Sequence, residues 1–250
     1  MQFSSPIATS SGIWEDAEDL PQNPATLLDL VSVDVANLLA TVKSSPPLMV
    51  DVTEVEDGRG DVLNDPSDLL ARAIAVDLKL AAWPNTVPST WFPIQVPAYG
   101  VPQSVTDAGI YGDSCDIYPD IMICSTWNEW RVARLKVLGL NARHGSNAIS
   151  AEAIATIQQL VDGICASIPF SLGSRTEPGP LYEMKVTYPT LKGQPISKEH
   201  QKTSSAYGGW YLFAPFKETM NVGMYLREGQ LEWLRGQLSR LAKMYDVKPA

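Results

Sequence analysis

The stretch STWNEWRVAR at residues 125–134 packs two tryptophans, an asparagine and two arginines into ten residues. Arg131 carries a rigid fork of N–H donors, and Asn128 can both donate and accept. A donor of this kind, aimed at a substrate carbonyl inside an apolar chamber, would activate it electrostatically. Tyr211 offers a third such group. The expected site is therefore a central pocket in which Arg131, Asn128 and Tyr211 do the chemistry, walled by Trp127, Trp210, Cys124 and Phe213. The competing expectation is structural. A buried guanidinium without a partner costs several kcal/mol, so Arg131 would be answered by a carboxylate from another helix, with Asp77 or Asp162 as the candidates.

Conventional catalytic and cofactor motifs are missing. The two histidines, His144 and His200, have no partners at metal-ligand spacing and read as solvated residues in loops or at helix ends. Cys115, Cys124 and Cys165 are odd in number and form no C-x-x-C pair, and the last two fall on helical stripes as core residues. The Gly208-Gly209 pair lacks dinucleotide-loop spacing and reads as a close helix contact, and there is no phosphate loop or G-x-S-x-G elbow. Asp116 and Asp120 are expected in the first turn of a helix, where carboxylates suit the dipole. Neither a metal nor a cofactor is expected. What remains is chemistry that needs only enclosure, such as cyclisation, isomerisation or a pericyclic step, in which holding the reacting carbons together lowers the entropic barrier.

Composition narrows the partners. The 250 residues carry a net charge of −9 with basic residues scattered, so direct nucleic-acid binding is not expected. The N-terminus has no basic, then apolar, signal anatomy, and apolar runs are too short to predict a membrane span. An intracellular, cytoplasmic setting follows as the expectation. RGD at 59–61 lies in an acidic loop and is not read as an adhesion motif.

Helical spacing organises the rest. Residues 1–25 read as a loose arm, and 26–250 as a single all-α domain of five to seven helices. Helices are predicted at about 26–43, 67–83, 116–141, 150–168, 204–220 and 227–245, from apolar residues three and four apart. The acidic, glycine-bearing segment 51–66 is a predicted loop, and 84–102, with five prolines, a predicted polyproline-like crossover or lid. In the third predicted helix, at 116–141, Ile117, Ile121, Cys124, Asn128, Arg131, Leu135 and Leu138 share one face, which turns Asn128 and Arg131 inward.

Five ordered blocks add a resemblance. LLARAIAVDLKLAAWPNTVPSTWF at 69–92, IYPDIMICSTWNEWRVARL at 117–135, IQQLVDGICASIPFSLG at 157–173, YGGWYLFAPF at 207–216 and LEWLRGQLSRLAKMYDVK at 231–248 resemble the C-terminal regulatory region of fungal binuclear zinc-cluster transcription factors. The six-cysteine cluster and basic segment through which such factors read DNA have no counterpart here. Two functions stand as expectations. One is a stand-alone, cofactor-free cyclase or isomerase of fungal secondary metabolism, of Diels-Alder type among others, acting on a hydrophobic polyene or terpenoid-like molecule. The beginning at Met1 with an ordinary arm favours this short, complete enzyme. The other is an effector-binding domain of a transcription factor lacking its DNA-binding module, nuclear and able to pair as a homodimer through exposed helix faces.

Overall fold

Asn-Pro-Ala-Thr at 23–26 starts the first helix. The Asn23 Oδ1 accepts from the N–H groups of Ala25 (2.9 Å) and Thr26 (3.1 Å), and Thr26 Oγ1 accepts in return from the Asn23 N–H (3.1 Å). Pro24 occupies the first helical position, where its missing N–H costs nothing. The helix thus begins inside the segment expected to be a loose arm. The structure is a computed structural model and describes residues 23–44, 66–144, 149–179, 185–191 and 194–246. Most of the expected arm, nearly all of the expected acidic loop with its RGD, and the side chain of His144 lie outside the described residues.

The fold is all-α. Among the described residues there are eight α-helices: α1 (Pro24–Ser44), α2 (Pro66–Ala82), α3 (Gln103–Gly109), α4 (Ile121–His144), α5 (Ala151–Leu172), α6 (Lys198–Thr203), α7 (Phe213–Asn221) and α8 (Gln230–Met244). One antiparallel ribbon joins them, β1 (Ile94–Pro97) with β2 (Ser114–Ile117), in which Val96 faces Cys115. Packing groups the chain into two compact units, residues up to 86 with 140–148, and residues 87–139 with 149–250.

In the first unit α1 buries Leu28, Val35 and Leu38, and α2 buries Ala73, Val76 and Leu80. Trp83, in the 3₁₀ turn that ends α2, donates its indole N–H to the Pro24 carbonyl at 2.8 Å. An exposed Lys79–Asp34 ion pair at 2.8 Å adds at most about 1 kcal/mol. The sequence expectation of no membrane-length helix is too strict. Residues 24–43 and 151–172 both have the length and apolar composition to cross a bilayer, each carrying only a few charged residues, Asp29, Asp34 and Lys43 in the first and Glu152 and Asp162 in the second. The second of these is α5, a core helix.

The second unit is built around α5. Its Ile157, Val161, Ile164 and Ile168 meet Leu212, Phe216, Leu234 and Leu241 in one cluster. Ser150 caps α5, accepting from the Ala153 N–H at 3.1 Å. The predicted stop at Pro169 does not occur: the helix continues to Leu172, and Gly173 closes it with φ of 55° and its N–H on the Pro169 carbonyl. Proline removes one ladder bond, and burial of Phe170, Ser171 and Leu172 compensates. The predicted helix at 116–141 begins later, at Ile121, because Ser114–Ile117 is strand; Asp116 is consequently not in a first helical turn, whereas Asp120 is the cap, accepting from the Ile123 N–H at 2.8 Å. The predicted crossover at 84–102 contains β1. The predicted helix at 204–220 is a π turn (Ser204–Gly208), a 3₁₀ turn (Trp210–Leu212) and then α7. A side chain at Gly208 would strike the Ser171 carbonyl, and one at Gly209 the Tyr245 ring, so these glycines do serve close contacts.

Candidate functional site

Asn128 and Arg131 are both buried on α4, and the protein itself answers them. Arg131 donates from Nη1 to Asn128 Oδ1 (2.8 Å) and from Nη2 to the Tyr118 hydroxyl (3.1 Å). Asn128 Nδ2 donates to Ser167 Oγ on α5 at 2.9 Å, and the Ser167 hydroxyl donates to the Ile164 carbonyl at 2.7 Å. Tyr118 in turn donates to Asp116 Oδ2 at 3.3 Å. A five-residue chain results, Asp116–Tyr118–Arg131–Asn128–Ser167, buried along its length except at half-buried Asp116. Gly163 makes room for it, since a Cβ there would lie 2.6 Å from Arg131 Nε. Of the two expected partners, Asp162 is engaged elsewhere, accepting Arg227 (2.9 Å) and Gln230 (2.8 Å), and Asp77 lies on α2 in the first unit.

Electrostatics fit that arrangement. Burial raises the Asp116 carboxyl above its usual value, while the Arg131 charge and the Tyr118 hydrogen bond pull against the rise. Burial likewise pushes the Tyr118 phenol up, although Arg131 opposes it. The Cys115, Cys124 and Cys165 thiols are all pushed up to about 12 by burial, so none is a ready nucleophile.

The other residues of the expected pocket are dispersed. Trp127 is buried beside Arg131, whose guanidinium lies 5.8 Å from the ring, and it donates to the Trp91 carbonyl at 2.9 Å. Cys124 faces Ser171 at 3.7 Å. Trp210, in contrast, is 56% exposed and packs on Phe213 and Tyr245, with centroids 5.4 and 5.3 Å away. Tyr211 turns its hydroxyl to the Met122 sulfur at 3.2 Å. Neither of the two cavities described below is lined by Asn128, Arg131, Trp210, Tyr211 or Phe213.

A cavity of about 420 Å³ opens instead on the other side of Tyr118. Its buried members are Tyr118, Phe170 and Pro189, with Ile117, Leu191 and Ile196 half-buried beside them; Ser89, Thr90, Gln194 and Ser197 are exposed at its edge. The rings form a continuous floor, Tyr118 to Phe170 at 5.6 Å and Phe170 to His200 at 4.2 Å, with Tyr188 edge-on to His200 at 4.7 Å. His200 is the residue that sequence reading misplaced as solvated. Ser197 caps α6, accepting the His200 N–H at 3.0 Å, and so turns the imidazole onto the ring that α5 presents just past Pro169. Burial lowers its pKa to about 4, against a hydrogen bond to the Phe170 carbonyl and the Asp120 carboxylate, which both favour the cation. The imidazole is neutral at physiological pH.

A second cavity of about 370 Å³ holds Asp113, Asp116, Asp162 and Arg227 with Gln95 and Tyr111. Among the described residues no three His, Cys, Asp or Glu side chains are grouped to hold a metal ion. The buried chain of hydrogen bonds is thus flanked by two cavities, Tyr118 lining one and Asp116 the other.

The chain matches no protein-family model, no curated protein and no solved structure.

Proposed function

We propose that the second unit receives a small, mainly apolar molecule in the cavity floored by Tyr118, Phe170 and His200, and that the chain acts as the effector-binding body of a regulatory protein. The observation that carries this reading is the cavity itself: its size is that of small-molecule sites, its floor is aromatic, and its polar groups sit at the edge. The resemblance to the regulatory region of fungal zinc-cluster factors points the same way. Groups suited to proton transfer near neutral pH are lacking on its described wall, because His200 is held at about 4 and Tyr118 is pushed up.

A second reading, the cofactor-free cyclase or isomerase, is favoured by one feature. A pericyclic closure needs enclosure rather than a titrating group, and the apolar floor supplies it. Arg131 would then act only through Tyr118, since its guanidinium is engaged by Asn128 and Tyr118.

The test uses 2-acetylnaphthalene as probe, followed by saturation-transfer NMR. Binding to wild-type protein and its loss in Ile196→Trp, which fills the cavity, support the receptor reading; binding that survives the substitution refutes the site. Polyene ketones incubated with the protein and re-extracted should return with unchanged mass spectra and chromatographic retention. A rearranged product at a rate above buffer would transfer the proposal to the enzyme reading.

A further inference from the structure

The wall of the 420 Å³ cavity is graded. Its deepest groups are rings, Tyr118 and Phe170 being buried and His200 tilted 39° over Phe170. Its exposed polar groups are hydroxyls and an amide, at Ser89, Thr90, Ser197 and Gln194. Ser197 Oγ accepts the His200 N–H with one lone pair and keeps a hydroxyl proton and a second lone pair for a further partner. Among the described lining residues there is no Asp, Glu, Lys or Arg. Asp120, which acts electrostatically on His200, sets a negative charge near the floor.

We infer that this cavity selects uncharged, ring-bearing molecules that carry a hydroxyl or carbonyl oxygen, and refuses the corresponding carboxylates. The inference rests on the receptor reading above. The ring seats against Phe170, Tyr118 and His200, where offset and edge contacts between π-systems add to apolar burial. The oxygen meets the hydroxyls of Ser89, Thr90 and Ser197, which can each donate or accept. A carboxylate in the same place loses its water and meets no cation among the described lining residues, with the Asp120 charge opposing it. His200 does not rescue it, since the imidazole stays neutral until the pH falls to about 4.

The experiment compares 2-naphthylmethanol with 2-naphthoate at pH 7.5 by isothermal titration calorimetry. The same titrations are run on Thr90→Lys, Ile196→Trp and Ser89→Trp, each checked for native circular dichroism. The alcohol should bind at least ~10-fold more tightly than the carboxylate, the size of a modest unpaired-charge penalty. Thr90→Lys should narrow that ratio by at least ~3-fold by giving the carboxylate a cation. Both tryptophan variants should lose the alcohol. Equal affinity of the two probes, or a ratio untouched by Thr90→Lys, overturns the selectivity while leaving the cavity as a receptor, provided the tryptophan variants abolish binding. Failure of both probes to bind, or binding indifferent to the tryptophan variants, overturns the receptor reading and the selectivity with it.

Discussion

Gly163→Ala sets two effects of opposite sign against each other. Gly163 lies inside α5, so propensity alone predicts that alanine stabilises the helix by about 1 kcal/mol. The new Cβ, however, would lie 2.6, 2.9 and 3.0 Å from Nε, Cζ and Nη2 of Arg131. An unrestrained arginine would swing aside at little cost. This one is held at both ends of its fork, by Asn128 at 2.8 Å and the Tyr118 hydroxyl at 3.1 Å, so moving it sacrifices a charge-assisted hydrogen bond worth about 1.5–3 kcal/mol. Overpacking of this kind costs about 1–3 kcal/mol, and the net expectation is destabilisation of about 1–2 kcal/mol. Urea unfolding gives the measurement, with the m-value checked because two compact units need not unfold together. Arg131→Met supplies the decisive background: without the guanidinium, Gly163→Ala should become neutral or stabilising, a coupling of about 1–3 kcal/mol in the double-mutant cycle. Stabilisation of the wild-type background by about 1 kcal/mol would show that Arg131 is not pinned, and the account of the buried chain would fall.

Other expectations test the same structure at separate points. His200, neutral and lowered from 6.5 to about 4, makes the unfolded chain bind the proton first as pH falls, so its contribution to stability is full above pH 6.5 and is lost between 6.5 and 4. The loss is at most about 3 kcal/mol, less whatever water at the cavity mouth relieves; His200→Gln should flatten stability over that window, and an NMR titration placing His200 near 6.5 would refute the burial. Tyr118→Phe removes the acceptor of Arg131 and the donor to Asp116, so it should destabilise by about 1–3 kcal/mol and raise the Asp116 pKa further, as read by carboxyl NMR. Asn23→Ala should cost about 1 kcal/mol and fray the first turn of α1 in amide exchange, whereas Asn23→Asp should cost almost nothing. Trp210→Ala, at an exposed site away from Arg131, should leave wild-type affinity for 2-naphthylmethanol within about twofold; a larger loss would put Trp210 back in the binding site.

Local rules read the long elements well and the short ones poorly. Apolar spacing found α1, α2, α4, α5 and α8, since each repeats its stripe over several turns. It missed β1 and β2 because four residues provide only two points per face, and prolines at 93 and 97 disguised the first as a crossover. Pro169 was read as a terminus by a rule about isolated helices. Tertiary burial of Phe170 and Leu172 overrides that rule here, and the same override creates the floor on which His200 rests.

The demand made by Arg131 was legible, but the group that meets it was not. Spacing on α4 turned Asn128 and Arg131 inward, and the cost of an unanswered guanidinium required an oxygen nearby. A formal carboxylate partner was the natural guess, and a carboxylate is indeed present in Asp116, but at one remove, behind the Tyr118 hydroxyl. Tyr118 reaches Arg131 only because the chain leaves β2 at Ile117 and enters α4 at Ile121 with a bend between, so that a residue thirteen positions upstream comes back onto the helix it precedes. Had the segment continued as the predicted helix from 116, Tyr118 would have shared no face with Arg131. That bend also gives Tyr118 two jobs: its hydroxyl closes the buried chain while its ring floors the cavity. The tryptophan-rich stretch on α4 accordingly supports the cavity floor from behind, one residue removed from the cavity itself.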